Sequence, residues 1–171
     1  MHFDAELFHR EPANPLLSAA DWPYPVNSVF NPGACLYNGD TVLLCRIEDR
    51  RGISHLTVAR SKDGRTDWVV DTKPLIADDP TDQRSCWGAE DPRITYVDEL
   101  GGYVISYTAY GPGGPCVALA RTEDFQTVES LGIVMPPEDK NASLMPRRID
   151  GHYVLFHRPV SILSHRADVW L

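Results

Sequence analysis

The 171-residue sequence predicts an all-β chain assembled from repeated strand-and-turn units. Three observations carry that expectation. Apolar runs are short and bounded by turn dipeptides, no segment keeps a helical period for long, and one strand-turn-strand pattern recurs along the chain.

Residues 1–27 contain Pro12, Pro15, Pro23 and Pro25, which exclude a long helix. The expectation there is an irregular arm lying over the body, anchored by Trp22 and Tyr24. From Val29 onward the pattern becomes strand-like, with runs at 42–47, 56–59, 104–109, 117–120 and 154–156. Among them stand Asn38-Gly39, Asp63-Gly64, Gly101-Gly102 and Asp150-Gly151, dipeptides that tolerate the positive φ of tight turns.

LTVARSKDG (56–64) and VALARTEDF (117–125) share Ala-Arg, a hydroxyl residue and an aspartate at a spacing of 61 residues. The preceding strands align at the same spacing, 40–46 with 101–107, and a third copy follows at 151–157. Repeats of this length suit the blades of a β-propeller; a two-sheet sandwich is the alternative that regular strands and turns also allow. Two full units and the start of a third make about two and a half blades, short of the roughly four a ring needs. Residues 28–171 therefore read as a partial propeller truncated at its C-terminus, with 167–171 opening a further strand. An open apolar edge of this kind invites a homo-oligomer or another covering chain.

Composition narrows the function. Sixteen Lys plus Arg stand against 24 Asp plus Glu, a formal charge of -8, which argues against a nucleic-acid partner. The N-terminus has acids and histidines where a signal peptide needs a basic start and an apolar run, and no window approaches a membrane span. Cys35, Cys45, Cys86 and Cys116 include no close pair, so they read as reduced thiols of a cytoplasmic protein, with a disulfide between Cys35 and Cys45 as the alternative. A glycine-rich phosphate loop, a paired-histidine metal motif and a nucleophile elbow are all missing from the sequence, so neither metal nor cofactor is expected. Asp78, Asp79 and Asp82 lack the calcium-loop pattern and read as a solvated loop.

The stretch WGAEDPRIT (87–95) is the richest in chemistry. Pro92 disfavours the α region for Asp91, which is therefore expected to be extended. Neighbours in extended chain point to opposite faces, so Glu90 and Asp91 are expected to part, one toward a cavity and the other tied down behind it. The repeat alignment sets Arg46, Tyr107 and His157 at one position of successive units, converging on a central channel. Asn31, Asp49, Lys140, Arg147 and Arg158 gather around them at strand ends and loops. An acid or two among several cations suits a sugar together with an anion, because carboxylates bind hydroxyls and donate protons while Arg and Lys hold phosphate oxygens.

NSVFNPGA (27–34), RIEDRRGISHLTVARSKDG (46–64), GAEDPRIT (88–95), YTAY (107–110), VALARTEDF (117–125) and FHRP (156–159) resemble the β-mannoside phosphorylases of glycoside hydrolase family 130. The resemblance implies a five-bladed propeller of roughly twice this length. It also implies inverting cleavage of a β-mannosidic bond by inorganic phosphate, a co-substrate, with release of mannose 1-phosphate. Asp91 would be the general acid, acting on the leaving oxygen through a hydroxyl of the bound mannose. An inverting hydrolase needs a second carboxylate to activate water, whereas phosphate is already a nucleophile and needs cations. By the same resemblance Asn31, Arg46 and Asp49 hold the mannose, while Lys140, His157 and Arg158 form the phosphate side with Arg147 as a further candidate. Glu90 would face away from the sugar and brace the loop, and Asn141 replaces an aspartate common in the family. The alternatives are an inverting β-mannoside hydrolase of the same fold and a non-catalytic carbohydrate-binding propeller.

Overall fold

The computed structural model describes residues 9–160 and 166–171; residues 1–8 of the expected arm, and 161–165, lie outside them. Ten strands follow in chain order: β1 (Ser28–Tyr37), β2 (Asp40–Glu48), β3 (Ser54–Ser61), β4 (Val69–Val70), β5 (Gly88–Val97), β6 (Gly102–Gly111), β7 (Gly114–Thr122), β8 (Glu129–Met135), β9 (Asp139–Leu144) and β10 (Leu155–Pro159). Strands β1 to β4 make one antiparallel meander, β5 to β8 a second, and β9 with β10 a two-stranded ribbon. A single parallel pair, Ser54 with Gly88, joins the two meanders. These are propeller blades, each starting from an inner strand (β1, β5, β9) and stepping outward.

The blades stack because both faces of their middle strands are apolar. Val42 and Leu44 of β2, with Leu56 and Val58 of β3, pack against Ala89, Ile105 and Phe125 of the second blade. Val97 and Val104 do the same against Leu144 of the third, with Leu155 beside them. The outer face of the first blade is covered by the arm: Trp22, 7% exposed, packs on Cys45 and Ile47 with Leu17, Tyr24 and Val26 around it. Tyr24 Oη lies 2.7 Å from Thr57 Oγ1 and 3.0 Å from His55 Nε2, which pins the arm to β3.

Turn chemistry follows the dipeptides. Asn38 and Gly39 (φ 50° and 82°) close β1 onto β2. The repeated turns are alike in detail: Asp63 Oδ1 accepts from the backbone N–H groups of Arg65 and Thr66, and Asp124 Oδ1 from those of Gln126 and Thr127, all at 2.8 Å. Two expectations need correction. The third unit's strand begins at Leu155 and runs to Pro159, later than the apolar run, because its pairing is with the polar β9. Of residues 167–171 only Trp170 pairs, in an isolated bridge to His157. All four cysteines are free thiols, and no helix among the described residues is long and apolar enough to cross a membrane.

Candidate active site

Each inner strand carries the same irregularity. The β1–β2 register shifts between Phe30 and Gly33, the β5–β6 register between Glu90 and Arg93, and β9 spends an extra residue between Lys140 and Ser143. At each bulge the second residue is left-handed: Asn31 (φ 44°), Asp91 (φ 48°) and Asn141 (φ 58°). Asn and Asp are the side chains that enter this region at least cost, which explains the residue type in all three blades. Bulges re-aim side chains. Asp91 is therefore not extended as its proline predicts, and the alternation that separates it from Glu90 is broken.

Both acids consequently meet one guanidinium. Arg46, on β2, donates from Nη1 to Asp91 Oδ1 and from Nη2 to Glu90 Oε1, each at 3.0 Å. Its Nε donates to Ser54 Oγ at 2.9 Å, and its Cζ stands 4.5 Å above the Phe30 ring. Asn31 Nδ2 donates to the same Asp91 oxygen at 2.9 Å. That contact needs β1 and β5 close together, and Gly33 permits it: a Cβ there would lie 3.0 Å from the Pro92 carbonyl oxygen. Burial pushes the Asp91 carboxyl up, but the Asn31 and Arg46 hydrogen bonds and the charges of Arg46 and Lys140 outweigh it and hold the group below its ordinary range. The expectation that Glu90 turns away is corrected: it shares Arg46 with Asp91, and its second oxygen lies 3.8 Å from Lys140 Nζ.

The third blade supplies cations. Lys140 and Arg158 are directly opposite one another on β9 and β10. Like charges in that relation repel, which is tolerable where an anion is to sit between them. Asp139, 5% exposed, organises this side: Oδ2 lies 2.6 Å from His157 Nδ1, and Oδ1 accepts from the Arg158 backbone N–H at 3.1 Å. Among the described residues the Arg158 guanidinium has no ion-pair partner.

Other predicted residues fall elsewhere. Arg46 pairs with Leu56 on β3, and the repeat counterpart of Leu56, Val117, pairs with Thr108. Thr108 therefore occupies the place of Arg46 in the second blade, and Arg158, opposite Lys140, occupies it in the third. Tyr107 is one residue out of step, which in a strand means the opposite face. It lines a cleft with Ile76, Asp82, Arg84 and Ala89 beneath the loop that enters β5, where burial pushes its phenol up. His157 is likewise not the counterpart of Arg46, though Asp139 keeps it beside Arg158. Asp49 is absorbed by its own loop: Oδ1 accepts from the backbone N–H groups of Arg51 and Ile53, and Oδ2 from the Arg51 guanidinium. Those bonds use the lone pairs a sugar hydroxyl would need. Arg147 is exposed on the β9–β10 connection, past Leu144 and at the far end of β9 from Lys140. Ser54, Phe30 and Asp139 belong to the candidate site and escaped sequence reasoning, their sole signal being adjacency to the motif residues, while Glu90 reads from the sequence as a brace facing away.

Known proteins resemble this chain along most of its length. The family model described as β-1,4-mannooligosaccharide phosphorylase, glycoside hydrolase family 130, matches residues 9–171. A 1,2-β-oligomannan phosphorylase of Thermoanaerobacter sp. is 31% identical over 166 residues, 91% of this chain and 52% of that protein. A β-1,4-mannooligosaccharide phosphorylase of Ruminococcus albus is 30% identical over 161 residues, 90% of this chain and 47% of its own length. The structure of the β-1,2-mannobiose phosphorylase from Listeria innocua with β-1,2-mannobiose superposes at a TM-score of 0.82, 25% identical, covering 94% of this chain and 61% of that one. The chain thus spans about half the length of the curated relatives it matches. By the extent of the family match, this chain belongs to glycoside hydrolase family 130.

Proposed function

We propose that the protein is an inverting β-mannoside phosphorylase in which this chain provides the acid, the mannose-side contacts and the phosphate-side cations. The observation that carries the reading is the division of the site. One carboxylate, Asp91, is pinned between Asn31 and Arg46, while the adjoining blade offers Lys140 opposite an Arg158 guanidinium with no ion-pair partner among the described residues.

In the reaction a phosphate oxygen forms a bond to the anomeric carbon as the glycosidic carbon–oxygen bond breaks. The leaving oxygen keeps the bonding pair and takes up the Asp91 proton, relayed by a mannose hydroxyl; mannose 1-phosphate and the shortened sugar leave. Asn31 and Arg46 orient the acid against the sugar, and Lys140 and Arg158, with His157, bind the anion. Glu90 does not suit the base of a hydrolase. Its carboxylate is held by the Arg46 guanidinium through one oxygen and faces Lys140 with the other, which leaves it poorly placed to take a proton from water. The free cysteines support a reducing, cytoplasmic setting.

The test is product analysis on the full-length protein with β-1,2- and β-1,4-linked mannobiose. Mannose 1-phosphate should form only when phosphate is supplied. Cleavage at the same rate without phosphate would make the protein a hydrolase, and binding without cleavage would make it a carbohydrate-binding propeller.

A further inference from the structure

We propose that Glu90 is a positioning residue that couples the anion side of the site to the acid side, so that phosphate bound at Lys140 is felt by the Asp91 carboxyl. The inference rests on the phosphorylase reading above. It starts from a continuous chain of charges across three blades: Lys140 on β9, Glu90 on β5, Arg46 on β2 and Asp91 on β5. Glu90 holds Arg46 Nη2 at 3.0 Å with one oxygen and faces Lys140 Nζ at 3.8 Å with the other. Arg46 passes its second terminal nitrogen to Asp91 at 3.0 Å. The side chains of Glu90, Arg46 and Asp91 are 12%, 14% and 11% exposed, so water screens their interactions weakly.

The two ends of the chain differ in slack. Arg46 is fixed on every side, by Ser54, Glu90, Asp91 and the Phe30 ring. The Lys140 contact is longer than a hydrogen bond, and its side chain is 28% exposed. Lys140 is the member that an arriving anion can draw away, especially with Arg158 opposite it.

Two consequences reach Asp91 with the same sign. Phosphate neutralises the Lys140 charge that favours ionised Asp91. Glu90, left with Arg46 alone, then takes a larger share of the guanidinium's charge without moving it and weakens the bond to Asp91. Both disfavour the carboxylate, so Asp91 takes up a proton as phosphate binds. The charged groups around Asp91 are Arg46 from β2, Glu90 from its own strand and Lys140 from β9, with Asn31 of β1 neutral; Arg158 and the Asp139–His157 pair lie beyond Lys140. An acid that is ionised in the empty site is thereby protonated when its nucleophile is in place.

The experiment follows the Asp91 carboxyl by carbon-13 NMR in the full-length protein, assigned with Asp91→Asn, titrated with and without inorganic phosphate. In the wild type phosphate should raise the midpoint by about one pH unit or more. Glu90→Gln keeps the size of the side chain and a hydrogen-bond acceptor for Arg46 but loses the charge that faces Lys140. It should reduce the phosphate-induced rise to the part that comes directly from the lost Lys140 charge, and move the alkaline limb of the kcat profile to lower pH. Lys140→Met, at a partly exposed position that puts little of the fold at risk, should abolish the rise as well. A wild-type midpoint that phosphate leaves unmoved, or one that rises equally in Glu90→Gln, would overturn the proposal. Absence of mannose 1-phosphate among wild-type products would instead overturn the phosphorylase reading, whatever the titration shows.

Discussion

The Asp91 carboxyl is held below its ordinary range because its neighbours outweigh its burial, and that gives its contribution to stability a defined pH window. The carboxyl is depressed below its ordinary value near 3.8 in the folded chain. A group depressed on folding stabilises above its unfolded value, and the contribution is lost as pH falls through the folded value. Asp91→Asn should therefore lower the urea midpoint near neutral pH, and the gap to wild type should close as pH falls below the ordinary carboxylate range and the wild-type carboxyl is protonated. On the proposed function, with Asp91 as the general acid, turnover should fall by about 10²–10⁴-fold in the same variant. A stability gap that stays constant into acid would mean that Asn31 and Arg46 do not hold the charged form. At this scale Asp91, Asn31, Arg46 and Lys140 were legible, because short motifs name them directly. Glu90 was not. Its orientation depends on the left-handed turn at Asp91, and a residue preceding proline reads locally as extended.

Elements were legible in kind and misread in register. The Asp63 and Asp124 turns keep their spacing, so the alignment of β3 with β7 holds. The inner hairpins do not, since Asn38-Gly39 closes the first while a 3-10 turn over Asp98–Leu100 and Gly101 closes the second. The longer connection moves β6 one residue against the repeat, and period-2 alternation turns that single step into a change of face for Tyr107. Thr108 offers a direct check. It is 1% exposed, sits opposite Glu90, and its Oγ1 has no hydrogen-bond partner among the described residues. A buried hydroxyl without a partner carries a desolvation cost that a methyl group does not, so Thr108→Val should be neutral or stabilising by up to about 1 kcal/mol in urea unfolding. A loss above about 1.5 kcal/mol would instead show that the hydroxyl makes a hydrogen bond that the substitution breaks.

The repeats announce blades, but nothing in a local pattern announces how blades join, and the site lies at those joints. Asn31, Arg46, Glu90, Asp91 and Lys140 come from three blades, so their geometry is only as good as the inter-blade packing. The joint between the first two blades narrows to one backbone pair, Ser54 with Gly88. Gly88 has φ 111°, and a Cβ on it would lie 2.1 Å from the Ser54 carbonyl oxygen, so no side chain fits without parting the strands. Ser54 is also the residue that holds Arg46 Nε, which ties this backbone contact to the acid. Gly88→Ala should cost about 3 kcal/mol or more in urea unfolding, as expected where both backbone strain and a clash with main chain are imposed. On the proposed function, in which Arg46 orients the acid more than it binds the sugar, whatever folded protein remains should lose kcat out of proportion to any change in mannoside KM. A variant within about 1 kcal/mol of wild type, with normal turnover, would show that the blades are held by their apolar faces alone and that the Ser54–Gly88 joint transmits nothing to the site.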